Sequence, residues 1–139
     1  MALIFGLLIN YTKNIFPKIE IGWGDVFGFI IIIFGIIIIL SAIVLFKKYK
    51  TTITPLKPSS ASKLIVSGVY KFSRNPMYLG LLIILSGIST ILNPIGGLFL
   101  IPLFILYLNF FQIIPEENAM INLFKDEFLE YKENVRRWI

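Results

Sequence analysis

Residues 26–46 read VFGFIIIIFGIIIILSAIVLF, 21 positions without a charge between Asp25 and Lys47. About 20 consecutive apolar residues are what a helix needs to cross the hydrocarbon core of a bilayer, so this stretch predicts a membrane span. Working outward, Arg74 and Glu116 bracket 41 further uncharged residues, enough for two more helices joined at the short turn NPIGG, residues 93–97. The opening MALIFGLLIN is strongly apolar up to Lys13 but lacks the basic start and small-residue cleavage site of a signal peptide. It reads as a short first helix. Four spans are expected, at about 2–16, 26–46, 77–92 and 95–114, in one all-α integral membrane domain covering residues 1–139. Composition agrees: 57% of the 139 residues are hydrophobic and 15% charged, against about 25% charged in soluble domains.

Composition also excludes chemistry. There is no cysteine, so disulfides, thiolate catalysis and zinc–thiolate sites are out. There is no histidine, which removes the usual general base and the commonest metal ligand. No metal is expected, and chemistry is left to carboxylates, Arg, Lys, Tyr, amides or a cofactor. No catalytic residue can be named from the pattern.

Charge placement gives orientation. The loop 47–74 carries Lys47, Lys48, Lys50, Lys57, Lys63, Lys71 and Arg74 and no acid, whereas Lys13 and Lys18 are balanced by Glu20 and Asp25. The positive-inside rule puts loop 47–74 and both termini in the cytoplasm. The same cations suit anionic lipid headgroups; nucleic acid is not an expected partner, because no soluble surface remains to bind it.

The tail changes character. Phe124, Phe128, Tyr131, Val135 and Trp138 recur at spacings of 4, 3, 4 and 3, the apolar stripe of an amphipathic helix, expected over 116–138. Pro115 is where the last span should end or bend. A helix of this kind can simply lie on the membrane with Trp138, Arg136 and Arg137 at headgroup level. Glu116 and Glu117 stand on the same membrane face as the segment SGVYKFSRNPMYLG, residues 67–80. Acids at a membrane boundary facing a basic loop merit a functional reading.

SGVYKFSRNPMYLG, then LNPIGG, then PEENAMINLFKDEFLEYKENV, taken in order, resemble the isoprenylcysteine carboxyl methyltransferase family, within the wider group that includes phospholipid N-methyltransferases. The resemblance covers about residues 50–139. It implies an S-adenosylmethionine-dependent methyltransferase acting on a lipid-soluble acceptor, with the cofactor at the cytoplasmic face and no Rossmann domain; indeed no G-x-G-x-x-G follows a strand pattern here. Carried over by position, the cofactor contacts fall on Lys63, Leu64, Ile65, Tyr70, Asn75, Pro76, Met77, Tyr78 and Glu116. The chemistry suits: tyrosine faces attract a sulfonium, and a carboxylate accepts bonds from ribose hydroxyls or an amino group.

Two departures bear on the substrate. Asn75 stands where the family has His, and Gln112 stands where the eukaryotic enzymes place a substrate-facing Arg. Gln cannot neutralise a carboxylate, so an isoprenylcysteine-type acceptor is open to question, and Gln112, Arg136 and Arg137 are the residues expected near it. The alternatives are a phospholipid amine, a thiol, or a family member without catalysis. A transporter is disfavoured because the spans over 26–46, 77–92 and 95–114 lack Asp, Glu, Lys and Arg. The expected location is a prokaryotic cytoplasmic membrane.

Overall fold

The computed structural model describes residues 1–16, 22–49 and 63–139. Among these there is no strand. The helices are α1 (Ala2–Tyr11), α2 (Gly24–Tyr49), α3 (Pro76–Leu92), α4 (Pro94–Leu108) and α5 (Ile114–Asn134), with 3-10 turns at Thr12–Asn14 and Gly68–Lys71 and a π-helical segment at Asn109–Ile113. Lys18, Glu20, Lys50 and Lys57, on which part of the charge argument rests, lie outside the described residues.

Among the described residues two helices are long and apolar enough to cross a membrane: α2, of 26 residues, and the continuous run of 41 residues from Pro94 to Asn134. Alpha-helix α1 has 10 residues and α3 has 17, which at 1.5 Å per residue span about 15 and 25 Å. The expected first span over 2–16 is therefore a shorter helix followed by a 3-10 turn. Expected ends also shift elsewhere. The helix does not stop at Pro115: the run continues through it to Asn134, with the π-helical segment Asn109–Ile113 just before it. Side chains along α2 such as Phe27, Phe29, Ile33, Ile37 and Leu40 are exposed, as a lipid-facing helix requires.

The contacts divide the chain into two compact units. The first comprises Met1–Ile37 and Gly80–Leu106. Here α2 and α3 meet through glycines spaced seven apart on each helix. A Cβ on Gly28 would lie 2.8 Å from the Gly87 carbonyl oxygen, one on Gly87 would lie 2.6 Å from that of Gly28, and one on Gly35 would lie 2.7 Å from that of Gly80. Small residues let two backbones approach this closely where lipid offers no hydrophobic drive. Asn93, fully buried, starts α4: its Oδ1 accepts the N–H groups of Ile95 and Gly96 at 3.1 and 3.2 Å.

The second unit comprises Ile38–Leu79 and Tyr107–Ile139. Its core gathers Ala42, Ile65 and Tyr70, with Leu45, Phe46, Tyr49, Val69 and Met77 against them. Of the tail stripe, Phe128 and Tyr131 are buried while Phe124, Val135 and Trp138 are half-buried. The tail helix differs from expectation in two ways. It is broken at Lys125 (φ 46, ψ −120) and it ends at Asn134, with Val135 extended (φ −128, ψ 128), so residues 135–138 are not helical. Arg74 N–H donates to the Arg136 carbonyl at 3.1 Å and the Asn75 side-chain amide to the Arg137 carbonyl at 3.0 Å, which holds the last residues against the loop before α3.

Candidate functional site

The site is built within the second unit from the loop 67–75, the first turn of α3 and the first turn of α5. Gly68 opens the loop at φ +60, a left-handed conformation, and a Cβ there would meet Leu45 at 2.9 Å. The turn that follows buries Tyr70. Its ring meets Phe46 edge-on at 5.8 Å, and its carbonyl accepts the Tyr131 hydroxyl at 2.7 Å. Burial, and then the nearby Tyr131 and Glu116, raise the Tyr70 hydroxyl above its ordinary range, so it stays neutral.

Pro76 confines Asn75 to non-helical conformations, and the Asn75 carbonyl accepts the Leu79 N–H at 2.9 Å as α3 begins. Tyr78 follows within the first turn. Its hydroxyl donates to the Glu116 carboxylate and lies 3.5 Å from Gln112 Oε1. This joins two segments 38 residues apart in sequence. Gln112 and Glu116 share one face of the π-to-α transition, which brings both toward Tyr78.

Glu117, the next residue, faces a different partner set. Arg74 Nη2 lies 3.1 Å from its Oε1, and Arg137 donates through Nε at 3.1 Å and Nη2 at 2.8 Å. The Arg74 and Glu117 side chains are 8% and 9% exposed, and that of Arg137 32%. Burial lowers the Arg74 pKa from its ordinary value, an effect that Glu117 opposes, while the hydrogen bond to Glu117 raises that of Arg137. Arg74 Nε and Nη1 are buried with no partner among the described residues, and so is Asn109 Oδ1.

The residues expected at the cofactor thus divide. Tyr78 and Glu116 are in contact, and Tyr70 lies near enough to Glu116 to feel its charge. Ile65 is buried in the core beside Tyr70, with Met77 against it; Pro76 is buried; Leu64 is half-buried and Lys63 exposed. Asn75 holds the tail. Of the residues expected near the acceptor, Gln112 joins Tyr78, Arg137 is taken up by Glu117, and the side chain of Arg136 is exposed. Sequence reasoning singled out Glu117 as an acid at the membrane boundary but missed its pairing with Arg74 and Arg137, and it did not single out Asn109. The one signal was their polarity beside long apolar runs. Among the described residues no three metal-ligating side chains come together.

The sequence pattern of the phospholipid methyltransferase family matches residues 23–127. The chain is 33% identical over 140 residues to protein-S-isoprenylcysteine O-methyltransferase A of Arabidopsis thaliana, a match covering 97% of this chain and 70% of that protein. It is 30% identical over 128 residues to the human protein-S-isoprenylcysteine O-methyltransferase, covering 88% of this chain and 44% of that protein. An uncharacterized protein of Haemophilus influenzae is 45% identical over 64 residues, which is 45% of this chain and the whole of that protein. The chain therefore spans less than half the length of the human relative. No solved structure matches it. With a match over most of its length, the chain belongs to the phospholipid methyltransferase family and is a methyltransferase of the isoprenylcysteine carboxyl methyltransferase group.

Proposed function

We propose that the chain transfers a methyl group from S-adenosylmethionine to a lipid-soluble acceptor at the cytoplasmic face of a membrane. The observation that carries this is the Tyr78–Glu116 hydrogen bond, which sets an aromatic hydroxyl and a carboxylate beside buried Tyr70. That donor set fits the cofactor. The carboxylate accepts from hydroxyl or amino groups, the tyrosine faces attract a cation, and Arg74 has N–H groups without a partner among the described residues. When bound, the cofactor supplies a methyl carbon attached to positively charged sulfur.

Each residue then has a task. Glu116, oriented by Tyr78, binds and orients the polar part of the cofactor. Tyr70, kept neutral by burial, presents a ring and adds no charge that would compete with the sulfonium. Gln112 lies where an acceptor would approach Tyr78. An isoprenylcysteine-type carboxylate is ionised at neutral pH and needs no base, so positioning and desolvation provide most of the rate. A phospholipid amine is the second reading, favoured by the uncharged Gln112. It would have to lose a proton, for which Glu116 is the carboxylate in place.

For the membrane, we infer four crossings: α1, α2, α3 and the first part of the run from Pro94. Loop 47–74 and both termini then face the cytoplasm, with lipid around the exposed apolar side chains.

The test is binding followed by product analysis. Purified protein in detergent should gain thermal stability with S-adenosylhomocysteine, and membranes given methyl-labelled cofactor should yield a labelled lipid-soluble product. No stabilisation at millimolar ligand, together with no labelled product, overturns the proposal.

A further inference from the structure

Arg74 is buried in the second unit with only part of its hydrogen-bonding capacity used. One nitrogen, Nη2, reaches Glu117. The other two, Nε and Nη1, are shielded from solvent and have no partner among the described residues. Guanidinium donors are seldom left unmade in a buried position. The neighbouring polar groups are already engaged: Ser73 Oγ accepts the Asn75 N–H at 3.1 Å, the Asn75 amide donates to the Arg137 carbonyl, and Glu117 is taken by two arginines. Charge points the same way. Arg74 and Arg137 bring two positive charges to the single negative charge of Glu117, which leaves one in excess. Water could fill the open donors, but it would not balance the charge. A monoanionic ligand does both, and a carboxylate is the geometry a guanidinium matches best.

We propose that Arg74, held in place by Glu117 and Arg137, is a carboxylate-binding residue that completes its hydrogen bonds on a ligand. This rests on the methyltransferase reading, in which two ligands bear a carboxylate: the amino-acid end of the methyl donor and an acidic acceptor. If the acceptor is the one it serves, Arg74 supplies the positive charge that Gln112 lacks.

The experiment is calorimetric titration of the full chain in detergent. One pair of probes is S-adenosylmethionine and decarboxylated S-adenosylmethionine, which differ in the carboxylate alone. A second pair, titrated with S-adenosylhomocysteine present, is N-acetyl-S-farnesylcysteine and its carboxamide. We expect the wild-type chain to prefer the carboxylate in one pair by roughly 10- to 150-fold, the range of a charge-assisted hydrogen bond. Arg74→Gln should erase that preference while 5′-methylthioadenosine, which has no amino-acid end, binds as before. A preference in the first pair assigns the site to the donor, and one in the second assigns it to the acceptor. The wild-type comparison needs no variant, so it stands even if Arg74→Gln does not fold. Arg74→Lys, which keeps the charge, should retain part of the preference. Binding of the adenosyl ligands with no preference in either pair overturns the inference and spares the methyltransferase reading. A preference that survives in a folded Arg74→Gln protein also overturns it. Failure to bind any adenosyl ligand removes both.

Discussion

The hydroxyl of Tyr131 donates to the carbonyl of Tyr70 across 2.7 Å, and both residues are buried. One bond ties the tail helix to the loop that carries Tyr70, 61 residues earlier. Tyr131→Phe keeps the ring and leaves that carbonyl unpaired, a loss of about 1–3 kcal/mol. Thermal unfolding in detergent should show a lower midpoint. An unchanged midpoint would mean that the tail is not anchored there.

Glu117 should matter more for folding than either arginine alone. Glu117→Gln leaves two guanidinium groups close together and poorly solvated, and breaking a buried pair costs about 3–5 kcal/mol. Arg137→Gln should cost less, because the Arg137 side chain is 32% exposed. Denaturant titrations of both variants give the order, and the reverse order would contradict the buried arrangement.

Glu116, Tyr78 and Glu127 should rank in that sequence for cofactor affinity. Glu116→Gln removes a charge-assisted bond worth about 1.5–3 kcal/mol, so affinity for S-adenosylhomocysteine should fall roughly 10- to 150-fold. Tyr78→Phe should cost less, since the ring remains. Glu127 is exposed, and Glu127→Gln should leave affinity unchanged. An equal loss at Glu127 would make the effect one of general electrostatics.

Close helix packing gives a prediction far from the chemistry. At Gly87 an added methyl would stand 2.6 Å from the Gly28 carbonyl oxygen, whereas Gly6 has nothing within 4 Å. Gly87→Ala should therefore destabilise by about 1–3 kcal/mol through overpacking, and Gly6→Ala should be neutral or slightly stabilising. Equal melting temperatures for the two variants would rule out the close α2–α3 approach.

Gln112→Arg tests acceptor choice. Placing a guanidinium beside Tyr78 should lower the KM for a carboxylate acceptor without changing that for an amine acceptor. Steady-state kinetics with both classes decides it, and a matched change in the two would remove Gln112 from acceptor recognition.

Much of the architecture was legible because lipid imposes a one-dimensional rule. An uncharged run such as 26–46 must be helical to satisfy its own backbone in hydrocarbon, so α2 could be read directly, as could the all-helical class. Helix ends were less legible. Asn134 terminates α5 four residues short of Trp138, and the residues beyond it hold the loop before α3 through the Arg136 and Arg137 carbonyls; no periodicity in the tail reports a partner 62 residues away.

The site divides along the same line. Tyr78 and Glu116 were candidate site residues on the sequence alone, through the order of the segments that hold them, and the fold brings the two side chains into contact. Which side chains each of two adjacent glutamates meets was decided only by tertiary structure. Successive helical residues point about 100° apart, so Glu116 turns to Tyr78 while Glu117 turns to Arg74 and Arg137. Likewise the sequence supplies Arg74 as one more cation of a basic loop. Folding alone buries it and leaves two of its nitrogens without a partner among the described residues, because desolvation depends on what packs around a side chain and not on its neighbours in the chain.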